Sequence, residues 1–361
     1  MRIHGVHRRS IRPDPNRGWI EVIDQRALPH ALVLAKLGTL PEVAVAIRSM
    51  WVRGAPLIGA VAAYGVCFAL AEDPSDAGIE RACRELLSTR PTAVNLRWAL
   101  EEMCATLRDT PPAGRFDAAW ARAQAICDED VSINAAIGGH GLNLLRDLAG
   151  RRRSPHCLNV LTHCNAGWLA TLDWGTALAP VYMAHDSGIP VHVWVSETRP
   201  RVQGGLTAWE LGQHGVPHTV VVDNAAGHLM QHDLVDVCIV GADRVTSRGD
   251  ACNKIGTYLK AVAANDTGVP FYVALPYPTI DWTLDDGLRS IPIEQRDAAE
   301  VGRLSSAGAR PLYPEGTAVA NYGLDVTPAR LITGLITERG ITGATREGLL
   351  SLYPEKADTS S

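Results

Sequence analysis

The chain of 361 residues is 46% hydrophobic and 20% charged, with a formal net charge of -5. That length exceeds one small core and fits one large domain or two packed domains, and the mild acidity leaves no electrostatic footprint for nucleic acid. Eight cysteines without C-x-x-C spacing exclude a disulfide-stapled secreted domain and point to a reducing compartment.

The first ten residues carry His and Arg without the apolar core of a signal peptide, and no uninterrupted apolar run reaches about 18 residues. The expectation is a cytoplasmic protein. A short β-like piece, Trp19-Ile20-Glu21-Val22-Ile23-Asp24, precedes a turn at Pro29. Apolar residues then recur at three- and four-residue spacing through 41–50, 55–71, 79–87, 93–107, 118–127 and 128–148, which predicts helices. Residues 1–150 therefore read as a mainly helical domain with a small β sheet. At Arg151-Arg152-Arg153-Ser154-Pro155 a polar break is followed by short apolar runs alternating with amphipathic stretches. The predicted strands are 158–162, 191–195, 218–222, 235–240 and 270–275, with helices at 176–185, 207–213, 225–231 and 253–263. Such alternation makes the fold class α/β, with residues 151–361 a Rossmann-like parallel-sheet domain carrying the chemistry. The polar end, 355–361, reads as a fraying tail.

Ligands of an open parallel sheet sit beyond the carboxyl ends of its strands, and those positions are polar here. They read His163-Cys164-Asn165-Ala166-Gly167, then Ser196-Glu197-Thr198-Arg199-Pro200-Arg201-Val202-Gln203, then Asp223-Asn224, then Gly241-Ala242-Asp243-Arg244. Cys164 stands beside a glycine turn, where substrate can reach a thiol activated by nearby cations or amide dipoles. The competing reading is a buried inert cysteine, to which the other seven are assigned. Asp243 follows the apolar run Val237-Cys238-Ile239-Val240, so its carboxyl reaches the edge of a low-dielectric core, a setting that suits a proton donor. A structural carboxylate paired with Arg244 is the alternative. Arg53, in Arg53-Gly54-Ala55-Pro56, and Arg90, in Arg90-Pro91-Thr92-Ala93-Val94-Asn95, precede predicted helix starts, where free amides and the dipole favour an anion. Solvated surface arginines are the competing reading. Asn253-Lys254 opens the helix predicted after the fourth strand and offers a polar clamp. The histidines lack paired metal-ligand spacing, and no G-x-G-x-x-G marks a dinucleotide site, so neither metal nor cofactor is expected.

These motifs, with Thr207-Ala208-Trp209-Glu210-Leu211 and Asn253-Lys254-Ile255-Gly256-Thr257-Tyr258, together resemble methylthioribose-1-phosphate isomerase. Related branches are the regulatory subunits of the initiation factor 2B exchange factor and ribose-1,5-bisphosphate isomerases. The resemblance implies conversion of 5-methylthioribose 1-phosphate to the ribulose 1-phosphate in methionine salvage, by a homodimer. It implies Asp243 as proton donor to the ring oxygen and Cys164 as the group assisting at C2. It also implies Arg53, Gly54, Ala55 and Arg90 as phosphate contacts, Gln203 as a sugar contact and Asn253 with Lys254 as a substrate clamp. Two segments depart from the family pattern: Asn321-Tyr322-Gly323-Leu324-Asp325 stands where Asn-Pro-Ala-Phe-Asp is usual, and Ala274-Leu275-Pro276-Tyr277-Pro278-Thr279-Ile280-Asp281 also differs. They leave open a branch acting on 5-deoxyribose 1-phosphate.

Overall fold

The computed structural model describes residues 1–151, 157–302 and 312–359. The polar break expected at 151–155 lies, beyond Arg151, outside the described residues. Five helices form the first half: α1 (Leu40–Arg48), α2 (Ala55–Glu72), α3 (Asp76–Thr89), α4 (Val94–Leu107) and α5 (Arg115–Arg151). A capping box starts α1, because Thr39 accepts from the Glu42 amide while the Glu42 carboxylate accepts from the Thr39 amide. The two stretches predicted at 118–127 and 128–148 are one helix, α5, of 37 residues, about 55 Å long at 1.5 Å per residue. The strand Ile20–Ile23 is the centre of a three-stranded antiparallel sheet with Ile11–Pro13 and Leu34–Leu37.

The helix predicted over 55–71 is α2. Its 18 residues have a mean hydropathy of 1.6, long and apolar enough to cross a membrane, yet 83% of the helix is buried in protein. A helix apolar on every side is a core helix when other helices surround it. Here α1, α3, α4 and the first half of α5 enclose it in one apolar cluster that includes Ile47, Tyr64, Leu86, Leu100 and Trp120.

The second half is built on a seven-stranded sheet. Six strands are parallel: Leu158–His163, Val191–Ser196, His218–Val221, Val237–Val240, Phe271–Ala274 and Gly334–Thr337. Counted in chain order they lie 3-2-1-4-5-6 across the sheet, with Gly340–Thr342 added antiparallel at the far edge. Alternate side chains feed two cores. Val160, Val237 and Ile239 join a cluster with Ile137 and Leu145 of α5, whereas Leu161, Cys238 and Val240 pack on the opposite side with Ala261 and Ala264. Burial on both faces explains why the central strands read as nearly continuous apolar runs, whereas His218–Val221 at the edge is partly exposed.

A four-stranded sheet was not anticipated. It contains the hairpin Arg244–Thr246 and Ala251–Lys254, flanked by Ile280–Asp281 and Leu324–Thr327. Asn253 and Lys254 consequently end a strand; the helix that follows is Thr257–Thr267, not 253–263. The terminal segment Pro354–Thr359 forms a 3-10 turn, where a fraying tail was expected.

Candidate active site

Strand order reverses between Leu158–His163 and Val237–Val240, which pair directly through Val160↔Val237 and Leu161↔Cys238. Chains leaving those two neighbours diverge to opposite sides and leave a crevice at their carboxyl ends, where ligands of doubly wound sheets bind. Cys164 is the residue after the first of these strands and Asp243 is three residues past the second. All nine residues singled out above, Arg53, Gly54, Ala55, Arg90, Cys164, Gln203, Asp243, Asn253 and Lys254, line the one pocket that opens there.

Cys164 has a left-handed backbone, φ 64°, and is held from both sides: its amide donates to Thr198 Oγ1 at 2.8 Å and its carbonyl accepts from Thr207 Oγ1 at 2.7 Å. Its side chain keeps 7% exposure at the pocket wall, with Arg53 Nη2 at 3.9 Å from the sulfur. The neighbouring His163 points elsewhere. One ring nitrogen faces the Ile255 carbonyl at 2.8 Å, and the other faces Ser196 and Thr198. Burial, with Lys260 nearby, lowers its pKa well below the ordinary value, so the ring is neutral.

Behind the thiol runs a buried chain of polar groups. Arg53 donates to both the side-chain and backbone oxygens of Asn165, the latter at 2.9 Å; Asn165 donates to Glu210 and, at 3.1 Å, to Thr207 Oγ1; and Glu210 accepts from the Leu169 amide at 3.2 Å. Burial pushes the Glu210 carboxyl up to about 8, with the Leu169 and Asn165 hydrogen bonds and Arg53 restraining the rise. The sequence motif containing Glu210 was recognised without any role for that residue, because its partners lie some forty positions away.

Asp243 is half-buried, and its amide donates to the Cys252 carbonyl at 2.9 Å. Arg244 does not pair with it: that guanidinium reaches Asp281 at 3.4 Å and the Thr92 carbonyl at 2.8 Å. At the opposite wall Gly54 caps α2 with φ 90°, and a Cβ there would meet the Ala170 carbonyl oxygen at 2.3 Å, so only glycine lets the helix start approach so closely. Amides of the first α2 turn have no side-chain cap, and the helix end carries a partial positive charge. Arg90 lies on the turn between α3 and α4, with burial lowering its pKa and Glu294, 3.8 Å away, raising it. Gln203 is buried, and its Oε1 has no hydrogen-bond partner among the described residues. Lys254 donates to the Gly323 carbonyl at 3.0 Å, and Asn253 donates to Thr257 Oγ1 at 3.0 Å.

The pocket also takes in Arg296 and Glu300, which sequence reasoning missed. Arg296, with its Nη2 at 2.8 Å, shares the Glu300 carboxylate with Arg201 of the strand-end run read above, and Asn321 donates to the same group at 3.2 Å. Arg296 lies on a loop with no periodicity and Glu300 on a four-residue helix, and only the tertiary fold brings them to the rim. One further assignment needs revision: Cys67, Cys127, Cys238 and Cys252 are buried, but Cys83, Cys104 and Cys157 are only half-buried. Among the described residues no group of three or more His, Cys, Asp and Glu side chains is placed to hold a metal ion.

Fold and pocket define a class, a doubly wound α/β enzyme with thiol, carboxylate and guanidinium groups gathered at its switch point. The chain matches the Initiation factor 2 subunit family over residues 51–343. Within that family it belongs to the methylthioribose-1-phosphate isomerases, and it is an isomerase. It is 62% identical to the methylthioribose-1-phosphate isomerase of Rhodospirillum rubrum over 99% of this chain and 94% of the relative. Its fold is similar to the crystal structure of 5-methylthioribose 1-phosphate isomerase from Pyrococcus horikoshii OT3, with a TM-score of 0.85, 37% identity and coverage of 97% and 96%. It is also similar to translation initiation factor eIF-2B, subunit delta, from A. fulgidus, with a TM-score of 0.81, 36% identity and coverage of 96% and 100%.

Proposed function

We propose that the chain converts 5-methylthioribose 1-phosphate into 5-methylthioribulose 1-phosphate, a step of methionine salvage and so of amino-acid biosynthesis. The observation that carries this reading is the position of Cys164 and Asp243 at the ends of two directly paired strands, in one pocket with Arg90 and the α2 N-terminus. Phosphate on the anomeric oxygen prevents a free aldehyde from forming, so the ring must open with the phosphate attached. In our reading Asp243 gives a proton to the ring oxygen, and Cys164 assists the movement of hydrogen from C2 to C1. The reaction redistributes hydrogen within one molecule and needs no outside oxidant.

The phosphate would lie against Arg90, Arg53 and the amides of Gly54 and Ala55, where guanidinium and helix dipole both stabilise an anion. Gln203 would take a sugar hydroxyl, since its buried carbonyl oxygen has an unmet acceptor. Asn253 and Lys254 would hold the sugar on the Asp243 side. We take the chain as two domains, 1–150 and 151–361, with the pocket between them, and as a cytoplasmic homodimer, the last to be read by light scattering.

The test is turnover of 5-methylthioribose 1-phosphate and 5-deoxyribose 1-phosphate, side by side, with chelator present and no added cofactor. Conversion of either supports the isomerase, and the ratio of kcat/KM assigns the branch. Cys164→Ser and Asp243→Asn should each lower kcat by about a hundredfold or more while leaving the thermal transition in place; a fully active Cys164→Ser enzyme refutes the role of the thiol. Inactivity on both sugars would leave the isomerase class in place and bring forward another phosphosugar as substrate.

A further inference from the structure

Two thiols meet outside the pocket. Cys83 lies on α3 and Cys104 on α4, and their sulfurs stand 3.3 Å apart. Both side chains are half-buried and keep an edge toward solvent, unlike the five buried cysteines. The pair is also unequal. The hydrogen bond between the two sulfurs, in which either thiol can donate, lowers the Cys104 pKa below the ordinary thiol value, with Arg108 helping against burial and Glu101, while the same contact raises that of Cys83. Cys104 is thus the nucleophile and Cys83 the resolving partner.

We propose that Cys83 and Cys104 form a reversible intramolecular disulfide by exchange with a low-molecular-weight disulfide, and that the cross-link acts on Arg90 through the turn joining α3 to α4. The Cys104 thiolate attacks one sulfur of the small disulfide, whose S–S bond breaks and releases one thiolate that takes up a proton. Cys83 then gives its proton to solvent and attacks the Cys104 sulfur of the mixed disulfide, releasing the second small thiol. Two protein thiols are oxidised, and one small disulfide is reduced to two thiols. Bond formation draws the sulfurs from 3.3 Å to about 2.0 Å, so the helices or their side chains must close by roughly 1 Å. The turn between those helices carries Arg90, which faces Glu294, and Thr92, whose carbonyl receives Arg244 beside Asp243. A shift of the pair is therefore felt at the pocket rim.

The disulfide itself does not depend on the isomerase reading, whereas its effect on Arg90 rests on it. The full chain is reduced, equilibrated over a range of oxidised to reduced glutathione ratios, quenched by alkylation and mapped by mass spectrometry. The expected result is a Cys83–Cys104 cross-linked peptide that appears at lower oxidant ratio than any other cysteine modification and disappears with excess reduced glutathione. Cys83 and Cys104 alkylated across the whole range, or carrying only separate glutathione adducts, overturn the proposal. In the cross-linked enzyme KM for the phosphosugar should rise several-fold with kcat retained, and neither Cys83→Ser nor Cys104→Ser should show that shift under the same oxidation. A shift that persists in both variants belongs to other thiols and overturns the coupling to Arg90. Protein inactive on both sugars would sink the proposed substrate, and the peptide map would still decide the disulfide.

Discussion

Glu210 shows how a residue without substrate contact can govern a site. Its carboxylate accepts from the Asn165 amide and the Leu169 N–H, and Asn165 in turn accepts from Arg53 beside the Cys164 sulfur. Above about pH 8, where Glu210 is ionised and both its oxygens accept, a glutamine at 210 must turn its NH2 toward one of those donors, which releases Asn165 or leaves a buried amide unpaired. An unmade buried hydrogen bond costs about 1–3 kcal/mol, or roughly 5- to 150-fold when it is felt in the transition state. Glu210→Gln should therefore lower kcat/KM within that range, and steady-state kinetics giving an unchanged value would remove Glu210 from the network we describe. The placement of Cys164 and Asp243 on the pocket wall was legible at this scale, because polar residues directly after apolar strands sit at the carboxyl rim of the sheet. Glu210 was not, since nothing local separates a buried carboxylate from a solvated one on a helix.

At the scale of elements, α2 links core to site. Its side chains form the centre of the helical layer, while its first turn meets the pocket at Gly54 and Ala55. Leu57→Ala deletes a side chain that is 1% exposed and should cost about 2–5 kcal/mol, read as a shift in the denaturant midpoint. Gly54→Ala is a different perturbation: the added Cβ has no room beside Ala170, so the helix start must retreat from the pocket. We expect a clear rise in KM for the phosphosugar, and KM within twofold of the parent would show that the α2 start does not hold the phosphate. Helix periodicity and the strands of the large sheet were readable from sequence. The hairpin that carries Asn253 and Lys254 was not, because strands of three or four residues are too short to show an alternating pattern.

The whole molecule has a pH signature of its own. Burial pushes Asp130 up to about 7 and Glu210 up to about 8, far above the ordinary carboxylate range. A raised carboxyl pKa means that the folded chain binds the proton more tightly than the unfolded one. That contribution is complete below the unfolded pKa and is lost as pH rises through about 7 and about 8, at up to roughly 1.4 kcal/mol per pH unit for each group. His163, lowered by burial, acts in the opposite sense, but only below its unfolded value of about 6.5. Thermal melts should therefore fall as pH rises from the ordinary carboxylate range to about 7 to 8 and level off above it, and Asp130→Asn should flatten part of the decline below about pH 7; an unchanged slope there would show that Asp130 titrates normally. By itself the sequence determined the α/β class, the helical first half and the polar strand ends, because periodicity and strand-end polarity are local properties of the chain. Only the tertiary structure decided the 3-2-1-4-5-6 strand order, the convergence of Arg53, Arg90 and Asp243 on one crevice, and the meeting of Cys83 with Cys104. Those are distances between segments remote in sequence, set by how the apolar faces of helices and sheet pack, and no local pattern encodes them.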